Sequence, residues 1–147
     1  QQARFEVEEL LWENPNPTDN LPNTITQNIL RTPQTYGYAN YQQVLGKNWL
    51  INANLVYTGS MKVPHLINPE NEYTVIKTTP SFYEVGFKLT KTWQFPKERN
   101  VALFVGVYNV LNSYQRDFDR GALRDPGYIY GPNRPRTVYL GIRVAKL

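Results

Sequence analysis

Eleven prolines fall in four groups and leave long proline-free intervals between them. The groups are Pro15, Pro17, Pro22 and Pro33; Pro64, Pro69 and Pro80; Pro96 alone; and Pro126, Pro132 and Pro135. Proline has no N–H to give to a β ladder, so these positions mark where strands are not. The intervals are rich in Tyr, Val, Phe, Ile and Thr, which suit a pleated, half-buried surface. They predict six strands, roughly over Gln2–Glu9, Thr35–Val44, Trp49–Thr58, Phe82–Phe95, Val101–Leu111 and Thr137–Val144. No interval sustains a helical period. The expectation is an all-β chain.

Composition removes several kinds of chemistry. A chain of 147 residues holds one domain or a piece of one. With no cysteine there is no disulfide framework, thiolate metal site or cysteine nucleophile. The single histidine, His65, excludes sites that need two imidazoles. The net charge of +4 is modest and not concentrated enough to point to nucleic acid. No run of 18 apolar residues is present, so a spanning helix is not expected. The chain opens at Gln1, which reads as a processed chain or a fragment of a longer one.

Alternation within the intervals is strict. Tyr83, Val85, Phe87, Leu89 and Trp93 lie on one face, against Glu84, Gly86, Lys88, Thr90, Thr92 and Gln94 on the other. Trp49, Ile51, Ala53, Leu55 and Tyr57 oppose Asn52, Asn54 and Thr58 in the same way. Val138, Leu140, Ile142 and Val144 oppose Tyr139, Gly141 and Arg143. Period-two patterning puts one face against apolar material and the other against water or polar groups. Both a soluble β-sandwich and a membrane β-barrel satisfy it.

Connection lengths and aromatic positions favour the barrel. Connections alternate between long (about Leu10–Gln34, Gly59–Ser81 and Asn112–Arg136) and short (Leu45–Asn48 and Pro96–Asn100). Long structureless loops are uncommon in soluble domains, whereas outer-membrane barrels have short periplasmic turns and long extracellular loops. Trp49 and Trp93 lie beside the short turns; Tyr36, Tyr57, Tyr83, Tyr108 and Tyr139 lie beside the long loops. At about 3.3 Å per residue, Tyr83 and Trp93 are roughly 33 Å apart along a strand. Tilted by about 40°, that spans roughly 25 Å, the height of the apolar band between aromatic girdles. Lys91 alone disturbs the apolar face, one step from the Trp93 rim, where its long side chain can reach the interface. Six strands cannot close a membrane barrel, whose smallest examples have eight, so further strands must pair with both edges.

The C-terminal stretch carries a family resemblance. Gly106-Val-Tyr-Asn-Val-Leu-Asn-Ser-Tyr114, then Arg116-Asp-Phe-Asp-Arg-Gly121, Gly127-Tyr-Ile-Tyr-Gly-Pro-Asn-Arg-Pro-Arg136 and Tyr139-Leu-Gly-Ile-Arg143 resemble the end of TonB-dependent outer-membrane receptors. Arg31-Thr-Pro-Gln-Thr-Tyr-Gly-Tyr38 and Tyr57-Thr-Gly-Ser-Met-Lys-Val-Pro-His65 resemble the family's earlier loop and strand junctions. The resemblance implies an antiparallel transmembrane β-barrel of about 22 strands, plugged by an N-terminal domain, of which this chain supplies the last six strands. It implies uptake of a scarce nutrient (a siderophore, haem, cobalamin or a glycan), and partners in the rest of the barrel, the plug, TonB and outer-membrane lipid. A surface lipoprotein on the loops is a further partner it leaves open. The location implied is the outer membrane of a Gram-negative bacterium, with a periplasmic C-terminus. The plug and the TonB-contacting box are missing from the chain, and Leu147 stands where the family usually ends on an aromatic residue. A passive porin-like channel and a soluble β-sandwich binding module are the alternatives.

The side-chain inventory gives a ligand surface and no catalytic site; an enzyme, a resident cofactor, a metal centre and a nucleic-acid partner are not expected. Asp117, Asp119 and Asp125 interleave with Arg116, Arg120 and Arg124 in the last long loop, which reads first as an ion-pair network that shapes it. The functional reading makes Arg116, Arg120, Arg124 and Arg134 a grip on an anionic ligand, with Tyr114, Tyr128, Tyr130 and Phe118 offering flat faces. The predicted ligand set is therefore Tyr114, Arg116, Asp117, Asp119, Arg120, Arg124, Tyr128, Tyr130 and Arg134. The predicted lipid-facing set is Tyr83, Val85, Phe87, Leu89, Trp93, Val138, Leu140, Ile142 and Val144. His65 reads as an ordinary polar loop residue ahead of an axial haem ligand. Glu6, Glu8, Glu9 and Glu13 read as a solvated acidic rim ahead of a calcium site.

Overall fold

The computed structural model describes residues 4–68, 70, 72–96 and 99–146. Its elements are antiparallel strands with one short 3₁₀ turn, and no α-helix occurs among the described residues. The strands are β1 (Arg4–Trp12), β2 (Thr24–Asn28), β3 (Tyr36–Leu45), β4 (Trp49–Thr58), β5 (Lys62–Asn68), β6 (Tyr73–Thr78), β7 (Phe82–Phe95), β8 (Arg99–Tyr108) and β9 (Thr137–Lys146). The chain divides into two compact units. One gathers residues 1–36, 58–81 and 115–131; the other holds residues 37–57, 82–114 and 132–147.

The second unit is built on a single open sheet of five strands in the order β3-β4-β7-β8-β9. Gly46 (φ +53°) and Asn48 (φ +72°) form the tight β3–β4 turn, where glycine and asparagine tolerate the left-handed backbone. Across β7, β8 and β9 the register lines up three apolar rows: Phe87–Val107–Val138, Leu89–Val105–Leu140 and Trp93–Val101–Val144. Lys91 begins a fourth row with Leu103 and Ile142. Its Nζ lies 4.9 Å from the Trp49 ring centroid and donates to the Lys47 carbonyl (3.2 Å), so the charge turns toward the short-turn rim.

This apolar face is the exposed one. Val138, Leu140, Ile142 and Val144 keep 69–72% of their surface open, and Phe87, Leu89, Trp93 and Val105 are exposed as well. The opposite face is the enclosed one. Ala102 and Thr90 retain 3% and 8%, and Gly86 and Gly106 are buried. Two reciprocal pairs close it: the Tyr139 ring covers Gly106, and the Phe104 ring covers Gly141. Aromatic cover over cross-strand glycines replaces the packing that a glycine lacks. A hollow of about 570 Å³ on this face takes lining residues from all five strands, among them Asn40, Asn52, Lys88, Tyr108 and Tyr139, so the sheet curls around its polar side.

Several sequence expectations change in detail. All six predicted strands form over their described residues (Gln2 and Ala3 of the first lie outside them), but the first pairs with β2 and does not join the five-stranded sheet. The expected long loops are not structureless: they contain β2 and the β5–β6 hairpin, in sheets of two strands each. β5 includes Pro64, paired with Ile76, because a strand in a two-stranded ribbon keeps one edge that needs no donor. β8 stops at Tyr108, short of Leu111, since Asn109 (φ +48°) and Asn112 (φ +51°) take left-handed backbone. The aromatic girdle also divides. Tyr57 and Tyr83 are in ring contact at 4.9 Å. Tyr108 and Tyr139 stack at 4.5 Å on the polar face and so leave the apolar one.

In the first unit, Trp12, Met61, Val63, Tyr128 and Tyr130 are buried, and Trp12 meets Tyr73 edge-on at 4.7 Å. Residues read as loops thus carry a small core of their own.

Candidate functional site

The last long connection, residues 115–131, belongs to the first unit and is fastened to itself and to the β5–β6 hairpin. Gln115 is its central pin, with only 1% of its surface exposed. Its amide donates to the Tyr128 carbonyl (3.0 Å) and accepts from the Tyr130 N–H (2.9 Å), as a neighbouring strand would. Residues 128 and 130 are two apart in an extended segment, so their side chains leave on the same side. Both hydroxyls then reach one carboxylate: Tyr128 donates to Asp117 Oδ2 (2.8 Å) and Tyr130 to Asp117 Oδ1 (2.5 Å). Burial acts to raise the Asp117 pKa, but the hydrogen bonds from Tyr130 and Tyr128 outweigh it and hold the carboxyl below the ordinary aspartate range. Burial, and then the bond to Asp117, push the Tyr128 phenol up to about 12 and the Tyr130 phenol higher still. Both phenols are therefore neutral donors at neutral pH.

A second set of contacts joins the loop to β5. His65 stacks on Tyr128 with centroids 3.8 Å apart and planes 17° from parallel. Its Nε2–H donates to Asp119 Oδ2 at 2.8 Å, which fixes the tautomer at Nε2, while the buried Nδ1 has no partner among the described residues. The bond from His65 is the main cause holding the Asp119 carboxyl below its ordinary range, and the Asp125 N–H (3.1 Å) adds to it. Asp125 accepts in turn from the Leu66 N–H (2.9 Å) and the Gly127 N–H (2.7 Å). Arg31 closes the far side by donating to the carbonyls of Gly127 (2.6 Å) and Ile129 (3.1 Å).

The predicted ligand residues thus separate into two kinds. Asp117, Asp119, Tyr128 and Tyr130 are tied into the network, Asp117 from an exposed position; the described hydrogen bonds to the three aspartates come from Tyr, His and backbone groups. Arg116, Arg120 and Arg124 are exposed on the same loop, with Phe118, Leu123 and Ile129 exposed between and beyond them. Tyr114 and Arg134 belong to the second unit, where both are exposed and the Arg134 guanidinium lies 5.7 Å from the Tyr108 ring centroid. Gln115, Asp125 and Arg31 were not expected as parts of a site. A buried glutamine bridging two backbone groups leaves no trace in composition or spacing. Among the described residues no cluster of three or more His, Asp or Glu side chains is arranged to hold a metal ion.

The second unit explains the Asn-Val-Leu-Asn element. The buried Asn109 donates to the carbonyls of Ser113 (2.9 Å) and Arg134 (2.7 Å) and accepts from the Ser113 N–H (2.9 Å). Asn112 accepts from the Arg136 N–H (3.0 Å). Two asparagines therefore clamp the exit of β8 to the entry of β9.

No family model matches this chain, and neither a curated protein nor a solved structure matches it.

Proposed function

We propose that this chain is the C-terminal barrel segment of a TonB-dependent outer-membrane receptor, a part of a nutrient transporter and not an enzyme. One observation carries the reading: the apolar rows of β7, β8 and β9 are exposed while the polar face is curled inward and enclosed. A soluble sheet buries its apolar face against a second layer, and contiguous apolar patches this broad are rare on soluble monomers. A barrel wall has the opposite order, lipid outside and polar lumen inside. Lys91 turning to the short-turn rim beside Trp49 agrees with that order.

In this reading β3 and β9, the edges of the sheet, pair with the remaining strands of the barrel, since lipid tolerates no open edge. The enclosed polar face meets the plug, on which TonB acts, and the long connections are extracellular. Within the first unit, ligand contact falls to the exposed Arg116, Arg120 and Arg124, with Asp117, Asp119, Tyr128 and Tyr130 holding the loop in shape. Membrane extraction tests the reading: the protein should leave outer-membrane fractions only with detergent. Release into plain buffer by salt or osmotic shock would refute it.

A further inference from the structure

The structure assigns an anion clasp to the tip of the last long loop: we propose that Arg120 and Arg124, with Leu123 between them and Phe118 beside them, bind a carboxylate or phosphate group attached to an apolar body. The proposal rests on reading these loops as a ligand vestibule and names the chemistry that vestibule takes. Its basis is the neck of the tip. Asp119 accepts the Asp125 N–H at 3.1 Å, so residues 119 and 125 are fastened together across the five-residue tip 120–124. Gly121 (φ +95°) supplies the left-handed backbone of the bend. Arg120 and Arg124 are the first and last residues of that tip, so the neck brings their backbones to its two sides.

The surroundings determine what charge the tip shows. The carboxylates next to the two arginines turn inward, Asp119 to His65 and Asp125 to the Leu66 and Gly127 N–H groups. Both arginines are exposed residues, and among the described residues neither forms an ion pair with Asp119 or Asp125. Paired guanidiniums match the oxygens of carboxylate and phosphate. Leu123 keeps 69% of its surface open and Phe118 48%, an apolar exposure that a bare inorganic anion would leave uncovered. Because the neck, the Gln115 pin and the Asp117 bridge hold the loop in place, little ordering is required on binding.

The test uses the detergent-solubilised protein, with empty micelles as blank. Three probes are titrated by calorimetry: 2-naphthoate, its neutral analogue 2-naphthalenemethanol, and inorganic phosphate. Naphthoate should bind at least about tenfold more tightly than either of the others, the scale of one charge-assisted hydrogen bond combined with apolar contact. Arg120→Gln with Arg124→Gln should remove that preference, and Phe118→Ser should weaken naphthoate without changing phosphate. Asp119→Ala separates geometry from simple charge. Removing a negative charge alone would tighten anion binding, whereas opening the neck should loosen it. Equal binding of the neutral analogue, an unchanged double variant, tighter binding by Asp119→Ala, or no naphthoate binding would overturn the clasp. Failure of the receptor reading shows elsewhere, as protein released without detergent whose naphthoate preference is intact.

Discussion

Leu89 and Leu140 stand in one row of the sheet with Val105 between them, and all three side chains are exposed. In a lipid-facing row, a charge is penalised by its depth in the bilayer. On the proposed lipid-facing reading, Leu89→Arg should therefore destabilise the sheet by about 2–4 kcal/mol if it lies near the midplane. Lys88→Arg, one residue away on the enclosed polar face, should change stability by less than about 0.5 kcal/mol. Thr90 is too enclosed to serve as that control. Urea unfolding in vesicles measures both.

The two covered glycines should respond unequally to alanine. A Cβ on Gly106 would stand 2.7 Å from the Phe87 carbonyl oxygen as well as against the Tyr139 ring, so backbone must move. The nearest atoms to a Cβ on Gly141 all belong to the Phe104 ring, a side chain that can rotate away. Gly106→Ala should cost about 1–3 kcal/mol and Gly141→Ala clearly less, measured in the same unfolding experiment.

Gln115→Leu should loosen the last long loop. It orphans the Tyr128 carbonyl and the Tyr130 N–H, at about 1–3 kcal/mol for each buried group left without a partner. Hydrogen exchange should accelerate at the Tyr130 amide and leave the amides of β7 and β8 at their original rates.

Acid should open the neck of the loop. The Asp119 and Asp117 carboxyls both lie below their ordinary range when folded. Depressed carboxylates contribute stability that is complete above the unfolded aspartate value, about 3.9, and that disappears as pH falls through the folded values. The His65 Nε2–H is the donor in the bond to Asp119. Protection of the Asp125 amide, corrected for intrinsic exchange, should be constant from pH 7 to about 4 and fall below that. In Asp119→Ala the same amide should be unprotected at every pH.

Strand content was legible in the sequence because proline and period-two alternation are local signals. The run from Phe82 to Phe95 forms as expected, end to end. What sequence left open is partnership. The residues of β1 read as a strand, but nothing in them distinguishes β2 from β3 as neighbour, since both offer the same backbone donors and acceptors. β5 was hidden by Pro64, which reads as a strand breaker until a free edge is available for it. In the last loop, alternating Asp and Arg suggest mutual pairing; the carboxylates also take tyrosine hydroxyls, His65 and backbone N–H groups, with Tyr128 11 residues from Asp117 and with His65 and Leu66 54 and 59 residues from Asp119 and Asp125. Those separations carry no periodicity that a sequence could display.

The absence of native cysteine makes the most direct measurement available. Nitroxide labels placed by Val105→Cys, Leu140→Cys and Thr92→Cys can be read in reconstituted vesicles by collision with oxygen and with a water-soluble nickel chelate. If the apolar row faces lipid, the labels at 105 and 140 will meet oxygen and be shielded from nickel, and the label at 92 will not share that pattern. Free access of nickel to positions 105 and 140, or their closure to both reagents, would contradict it.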